Sequence, residues 1–448
     1  MTSKIIVNTI EGDVGVSSVT FNDTIYGNLE GNVTGDITAT SGTFSGNVSI
    51  DGTLSGISSV STTNLSVNNN VYPSAGSLGK RNLIINGSFM VSQRATSVTF
   101  SNATAIHRTV DRFSAKFFGG GWGSNHSTES QSTDAPPGHS YSYKVLAEVA
   151  QDYSSSLGSW IQYSFEGNQL LPLKTANLGY KEFTVSFWIK SNKTGNVSVC
   201  PETSGKGHGF STIVQINSAN TWEYKTVTFP ASPSSQLTED EFRDNEAEFN
   251  IKWGLGSNGS WLVGTDGSWQ PYATNRGVIS SLQTNFQESV NDYLAIGGIQ
   301  MEVGSNATEF EYRTYDEELA LCQRYFQGWN ATSTTERAKT GIFVYDFEGN
   351  NSANQATVLG TGSVVDADDA RIEFSLPVSM REKPTTSVSD LRLITGSTLH
   401  NSSTTVQYNN STIHSCSMML DNGGGMTAKQ CAHLIIKGNG YFYLDAEL

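Results

Sequence analysis

Positive charge is the first thing this sequence lacks: 27 Lys and Arg stand against 42 Asp and Glu in 448 residues, a formal net charge of −15. Without clustered Lys and Arg there is no basis for a sustained grip on nucleic acid or on an anionic lipid surface. Long apolar runs are missing as well. No stretch approaches the ~18 apolar residues of a membrane-crossing helix, so no membrane insertion is expected. The opening Met1-Thr2-Ser3-Lys4-Ile5-Ile6-Val7 has no apolar run ahead of a small-residue cleavage site and does not read as a signal peptide, which places synthesis and folding in a cytoplasm. In that compartment Cys200, Cys322, Cys416 and Cys431, which show no C-x-x-C spacing, are expected to be reduced core residues, neither bridged nor zinc-bound. The Gly-x-Ser-x-Gly, P-loop, His-Glu-x-x-His and His-x-His patterns do not occur and the seven His are scattered. The residues therefore point to no enzyme, no metal and no cofactor.

Gly, Ser, Thr and Asn are plentiful, with 44 Gly and only 15% charged residues, the usage of strands joined by many tight turns. The expected class is all-β. A single core stops growing at roughly 250 to 300 residues, so several units in series are expected. Residues 1–26 include the strand-like Ile5, Ile6 and Val7. Residues 27–81 open with three tetrads of the form Gly, Asn or Asp, aliphatic, polar: Gly27 to Glu30, Gly31 to Thr34 and Gly35 to Thr38. One aliphatic residue per short unit cannot build a core in one chain, but three chains wound round one axis can share the stripe, so this segment reads as a Gly-rich intertwined trimeric β shaft. A disordered Gly/Ser/Thr/Asn linker is the other reading of the same residues. Residues 82–313 carry period-two runs around Ile161, Tyr163 and Phe165, around Phe183, Val185, Phe187 and Ile189, and around Phe249, Ile251 and Trp253, which predict a jelly-roll β-sandwich. A helical connector follows at 314–330: Asp316 caps it, Leu319, Cys322 and Phe326 share a stripe, and it runs to about Gln327. Further alternating runs make 331–448 a C-terminal β head domain.

The motif series Asn82-Leu83-Ile84-Ile85-Asn86-Gly87-Ser88-Phe89, Gln93-Arg94, Asp111-Arg112-Phe113, Phe183 to Lys190, Asn220 to Glu223, Gly297 to Gly304, Phe310 to Arg313 and Glu317 to Phe326 resembles a domain common in bacteriophage tail-fibre proteins. The likeness spans residues 82 to 327, over half of the chain. It implies a virion protein that recognises and adsorbs to the host cell. Such a protein would be a homotrimer, joined through its N-terminal segment to a tail or baseplate protein and binding a bacterial surface glycan or other receptor through its distal domains. A purely structural whisker or head fibre, and a tailspike-type glycan hydrolase, are the alternatives. The same domain is similar to jelly-roll carbohydrate-binding modules, in which a Glu of the first strand and paired Asp of the last help hold a structural calcium. Met90, Gly297 and Gly298 stand at those places here, and none offers a hard oxygen ligand, so the fold is expected without the metal.

Sugar recognition needs flat aromatic faces and amide or carboxylate groups. Alternation puts Trp160 and Gln162 opposite the inward Ile161, Tyr163 and Phe165, and Trp188 and Lys190 opposite Phe187 and Ile189. Two outward tryptophans are either a binding platform or a contact between subunits, the usual meaning in an oligomer. Trp253 faces inward and belongs to the core. Trp122, Trp261, Trp269 and Tyr272 lie in glycine-rich stretches that read as loops, suited to ligand contact or to closing the end of a sandwich. The acidic runs Glu239-Asp240-Glu241 and Asp366 to Asp369 border turn residues and read as solvated loops.

Overall fold

The computed structural model describes residues 64–67, 70–73, 80–100, 109–119, 125–153, 157–203, 208–233, 242–258, 266–271, 279–330, 344–346, 355–395, 398–400, 405–409, 411–421 and 423–447. The chain divides into two units, Met1–Ser61 and Thr62–Leu448, and every described residue belongs to the second. Ile5, Ile6 and Val7, the glycine tetrads, Trp122, Glu239 to Glu241, Trp261 and Tyr272 lie outside the described residues.

The described chain is all-β apart from two short helices. The described strands between Ser97 and Val303 form a sandwich of two antiparallel sheets. One is six-stranded, in the order Glu223–Phe229, Phe183–Ser191, Tyr293–Val303, Ser142–Ala147, Ser127–Ser132, Ser97–Thr99. The other runs Trp269–Pro271, His208–Phe210, Gly195–Thr203, Ala247–Ser257, Gly158–Glu166, Phe113–Phe118, with Thr212–Ile216 added to Gly195–Thr203. Successive segments cross between the sheets, as in a jelly roll. The expected period-two faces are borne out: Ile161, Tyr163, Phe165, Phe183, Phe187, Phe249 and Trp253 are all fully buried. Their rings meet at tilted or edge-on angles, Phe187 to Trp253 at 5.8 Å and Phe165 to Tyr163 at 4.6 Å. Each such ring removes ~150 to 250 Å² from water, so the aromatic layer dominates this core.

A second core lies in a nine-stranded antiparallel sheet built from the C-terminal residues, with Ile372, Leu393, Leu434, Phe442 and Leu444 buried in it. The two apolar runs at Leu434 and Tyr441 prove to be one long strand, Cys431–Asp445. Phe326–Asn330 pairs with that strand, so the connector's last residues already belong to the terminal sheet, ahead of the boundary expected at 331. The helix is Tyr315–Gln323. Its cap is Thr314 and not Asp316: the Thr314 hydroxyl accepts from the Glu317 amide at 3.3 Å, and Glu317 accepts from the Thr314 amide at 2.9 Å. The helix stops before Gln327 because Phe326 is drawn into the strand. Cys200, Cys322 and Cys416 are buried free thiols, whereas Cys431 is exposed, a departure from the expected core position.

The two cores are joined by buried charge. Arg112 has no exposed surface, its backbone holds a left-handed φ of 73°, and its guanidinium lies 3.4 Å above the ring of Tyr325. It donates to Glu447 Oε2 at 2.5 Å and to the carbonyl of Ser164 at 2.6 Å. Arg94 pairs with Asp111 at 3.1 Å and Asp445 at 3.2 Å while its guanidinium covers the ring of Phe326. Arg324 grips Glu166 through two bonds, and Arg381 donates to the carbonyl of Ala446. Gln93, Arg94, Asp111 and Arg112, prominent in the motif series, thus belong to a structural junction, while Arg313 and Glu318 tie the helix to residues Asn82, Ile84 and Asn86 of the sandwich.

Removing one member of such a set strands the others without partners, so Arg112→Met should lower unfolding free energy by about 3 to 5 kcal/mol. Chemical denaturation of the full chain measures it, and a change under about 1 kcal/mol would remove the junction's importance. Burial pushes the Asp111 carboxyl up to about 7, against the pull of Arg94. A carboxyl raised above its unfolded value, about 3.9, stabilises fully below that value and loses the contribution as pH rises through its folded pKa. The stability of the wild type minus that of Asp111→Asn should therefore fall from about pH 4 to pH 7. A difference that grows across that window would contradict the assignment.

Candidate functional site

The two outer faces of the sandwich differ in kind. On the face of the sheet containing Gly158–Glu166, the outward residues form a closed layer. Trp160 points outward as expected but is 2% exposed, stacked on Phe118 at 5.1 Å, with the Lys252 ammonium 4.6 Å from its ring centre. Its indole donates to Gln162 at 3.0 Å, Gln162 donates to Asn250 at 3.1 Å, and Lys252 is paired with Glu202. The expected exposed platform or subunit contact at Trp160 is therefore corrected: a buried ring touches neither. Trp269 is corrected too. It sits in the strand Trp269–Pro271, not a loop, half-buried against Phe210 at 5.8 Å, and its indole donates to the carbonyl of Pro230 at 2.9 Å.

The outer face of the six-stranded sheet is open in part: Thr184, Ser186, Ala295, Gln300 and Glu302 are buried, whereas Trp188, Lys190 and Lys144 are half-buried and Tyr224 is exposed. Inward Phe187, Ile189, Leu294, Ile296, Tyr143 and Val145 are buried, so Trp188, Lys190, Ala295 and Lys144 stand on the other side. Trp188 lies opposite Tyr224 on one neighbouring strand and Gly297 on the other. Its ring is half-buried and 5.3 Å from that of Tyr224, which is 45% exposed.

The loop of residues 133–141 folds back over this face, and the glycine pair makes room for it. A Cβ on Gly297 would lie 2.8 Å from Pro136, and one on Gly298 would lie 2.5 Å from His139 and 3.1 Å from Trp188. Gly298 also has a left-handed φ of 56°. Pro136 and His139 occupy the places their side chains would have filled. His139 continues the line of rings, 4.7 Å from Phe310 and 5.5 Å from Tyr312, and Tyr312 is 61% exposed. The Tyr312 hydroxyl donates to the carbonyl of Gly138 at 3.1 Å, fixing the loop's turn. Burial lowers the His139 imidazole below its ordinary pKa.

Polar groups flank the rings. Lys190 donates to both oxygens of Asp134 at 2.9 and 2.8 Å, and the Trp222 indole donates to Asp134 at 3.1 Å. Burial opposes ionisation of Asp134, but those hydrogen bonds outweigh it and hold the carboxyl below its usual range. The Lys144 ammonium lies 4.3 Å from the ring centre of Tyr293, whose hydroxyl donates to Asn220 at 3.1 Å. Aromatic faces beside fixed donors and acceptors can hold a sugar ring by its apolar side and its hydroxyls. Of the sequence candidates, only Trp188 is among the described residues of this face.

Tyr224, Trp222, Asp134, His139, Phe310, Tyr312, Lys144 and Tyr293 were not singled out as site residues. Alternation against Val227 and Phe229 could have placed Tyr224 outward. Nothing in the sequence announces that the 133–141 loop lies on the sheet, except two adjacent glycines in a buried strand. Asp366 accepts from the amides of Asp368 and Asp369 at 2.9 Å each, a tight turn that accounts for that acidic run.

No protein-family model and no curated protein matches the chain. Solved structures with some likeness include the enzymatically active domain of bacteriophage CBA120 tailspike protein 4, at 13% identity and TM-score 0.27, covering 52% of this chain and 24% of that one. A putative sugar binding protein from Bacteroides thetaiotaomicron is 12% identical at TM-score 0.28, covering 50% of this chain and all of that one. The family 11 carbohydrate-binding module of a Clostridium thermocellum cellulase is 10% identical at TM-score 0.24, covering 48% and 97%. At these TM-scores none of the three says what this chain binds.

If the glycine pair seats the loop, Gly298→Val should force His139 or Trp188 aside and destabilise by about 1 to 3 kcal/mol, with a changed near-ultraviolet circular dichroism signal from the aromatic face. An unaltered spectrum and stability would mean that the loop is held by something else.

Proposed function

We propose that the protein is a trimeric phage fibre that adsorbs to host cells by holding a surface glycan on the outer face of its six-stranded sheet. The observation that carries this reading is the open row of rings from Tyr224 through Trp188 to Tyr312, edged by the Asp134, Lys190 and Trp222 hydrogen bonds. The opposite face, closed over Trp160, offers no such surface among the described residues. The motif series of residues 82 to 327 supports the fibre assignment, and the glycine tetrads support three chains sharing one stalk. Residues 1–26 are assigned to docking on a tail or baseplate protein. Three modest glycan contacts on one stalk then act together, and linkage raises their combined grip by orders of magnitude without new contacts. No catalytic step belongs to this reading: the protein holds its glycan and does not cleave it.

Fluorescently labelled full-length protein should coat host cells and compete with intact phage. Trp188→Ala and Tyr224→Ala should each weaken cell binding roughly tenfold or more, about 1.4 kcal/mol, while the trimer persists in analytical ultracentrifugation. Variants that bind as well as wild type would move the site elsewhere, and variants that fall to monomers would make this face a subunit contact. A wild-type protein that coats no cells would leave a structural appendage as the better account.

A further inference from the structure

The register of the open face sets three outward residues in one row on adjacent strands: Lys190, Ala295 and Lys144. Ala295 adds no height between the two lysines, whose backbones are two strand spacings apart, roughly 10 Å. Two cations share the row and the loop above it supplies one carboxylate, Asp134. That local excess of positive charge runs against a chain of net charge −15.

Asp134 is engaged by Lys190 through both of its oxygens and by the Trp222 indole. The other nearby carboxylates are engaged as well: Asp292 and Glu288 hold Lys193, and Glu223 holds Lys225. Lys144 has no carboxylate within ion-pair distance among the described residues, and its ammonium rests over the ring of Tyr293. A ring face attracts the charge but accepts no conventional hydrogen bond, so the three N–H donors of Lys144 stay available. A sugar hydroxyl could take one of them, but a carboxylate makes the shorter and stronger charge-assisted bond.

We infer that the glycan held on this face is acidic, a uronic acid or other carboxylate-bearing sugar whose carboxylate takes the donors of Lys144. This rests on the reading of the face as a glycan site and adds the chemical class of its ligand. Asp134 keeps Lys190 in place and feels Lys144 only through space, beyond ion-pair distance, so Lys144 is the cation left to bond the ligand.

The test uses the surface polysaccharide purified from a strain that the labelled protein coats, before and after chemical reduction of its carboxylates to hydroxymethyl groups. Binding to the full-length protein is measured by calorimetry at low and high salt. Reduction of the glycan should weaken binding roughly tenfold, as should Lys144→Met, each removing the same charge-assisted bond. The two losses should not add: Lys144→Met should bind native and reduced glycan alike, and Lys144→Arg should restore the preference. High salt should weaken the wild type towards the level of Lys144→Met. Equal binding of native and reduced glycan by the wild type would overturn the inference while leaving the glycan face standing. If no strain is coated, or the purified polysaccharide does not bind in either form, the proposed function fails and takes this inference with it.

Discussion

The burial of the Arg112 guanidinium is the constraint around which the described fold is arranged. A charge fully removed from water is tolerable only where acceptors and a ring enclose it, and those come from widely separated parts of the sequence: Ser164 in the sandwich, Tyr325 after the helix, Glu447 beyond the last strand. Satisfying one side chain therefore fixes the relation of the sandwich, the helix and the terminal sheet. Arg94, Asp111, Asp445, Arg324 and Glu166 extend the same arrangement, so the sandwich and terminal sheet meet through a polar core with its own geometry. A left-handed backbone at Arg112 is the local strain that this arrangement sustains.

With the junction at one side, the sandwich has two broad faces left, and the same alternation produced opposite results on them. On one, Trp160, Lys252, Glu202 and Asn250 satisfy one another and close the surface. On the other, two glycines in the strand Tyr293–Val303 leave space that a loop enters, and the loop brings Asp134 and His139 to the rings. Openness here is a matter of which groups find partners within the chain.

Much of this was legible beforehand because period-two burial is a local signal. The strands around Ile161, Phe183 and Phe249, and the inward Trp253, needed only alternation. Direction was readable too, since Trp160 and Trp188 both point outward. Exposure was not, because it depends on what long-range segments lay on top. Trp160 is covered and Trp188 is half-open, and no pattern within either strand distinguishes them. The helix was found, but Thr314 rather than Asp316 caps it, since the reciprocal Thr–Glu spacing competes successfully with an acidic neighbour. Its end was misplaced because Phe326 fits a helical stripe and a strand equally well, and pairing with Asp445 decides between them. The motif series divides between two places: Gln93, Arg94, Asp111 and Arg112 mark the junction, where buried charge restricts residue choice, and Trp222, Gly297, Gly298, Phe310 and Tyr312 mark the aromatic face.

The contact between Arg112 and Glu447 spans 335 positions of sequence. A nascent chain emerging from the ribosome can pair the strands of its sandwich long before residue 447 exists, yet the guanidinium has no carboxylate to meet until then. Closure of the junction is thus a late event in the life of each polypeptide, and a chain broken off early keeps a buried cation without its counter-charge. Such a fragment would be selectively unstable, so truncated copies would unfold and be cleared while whole ones persist.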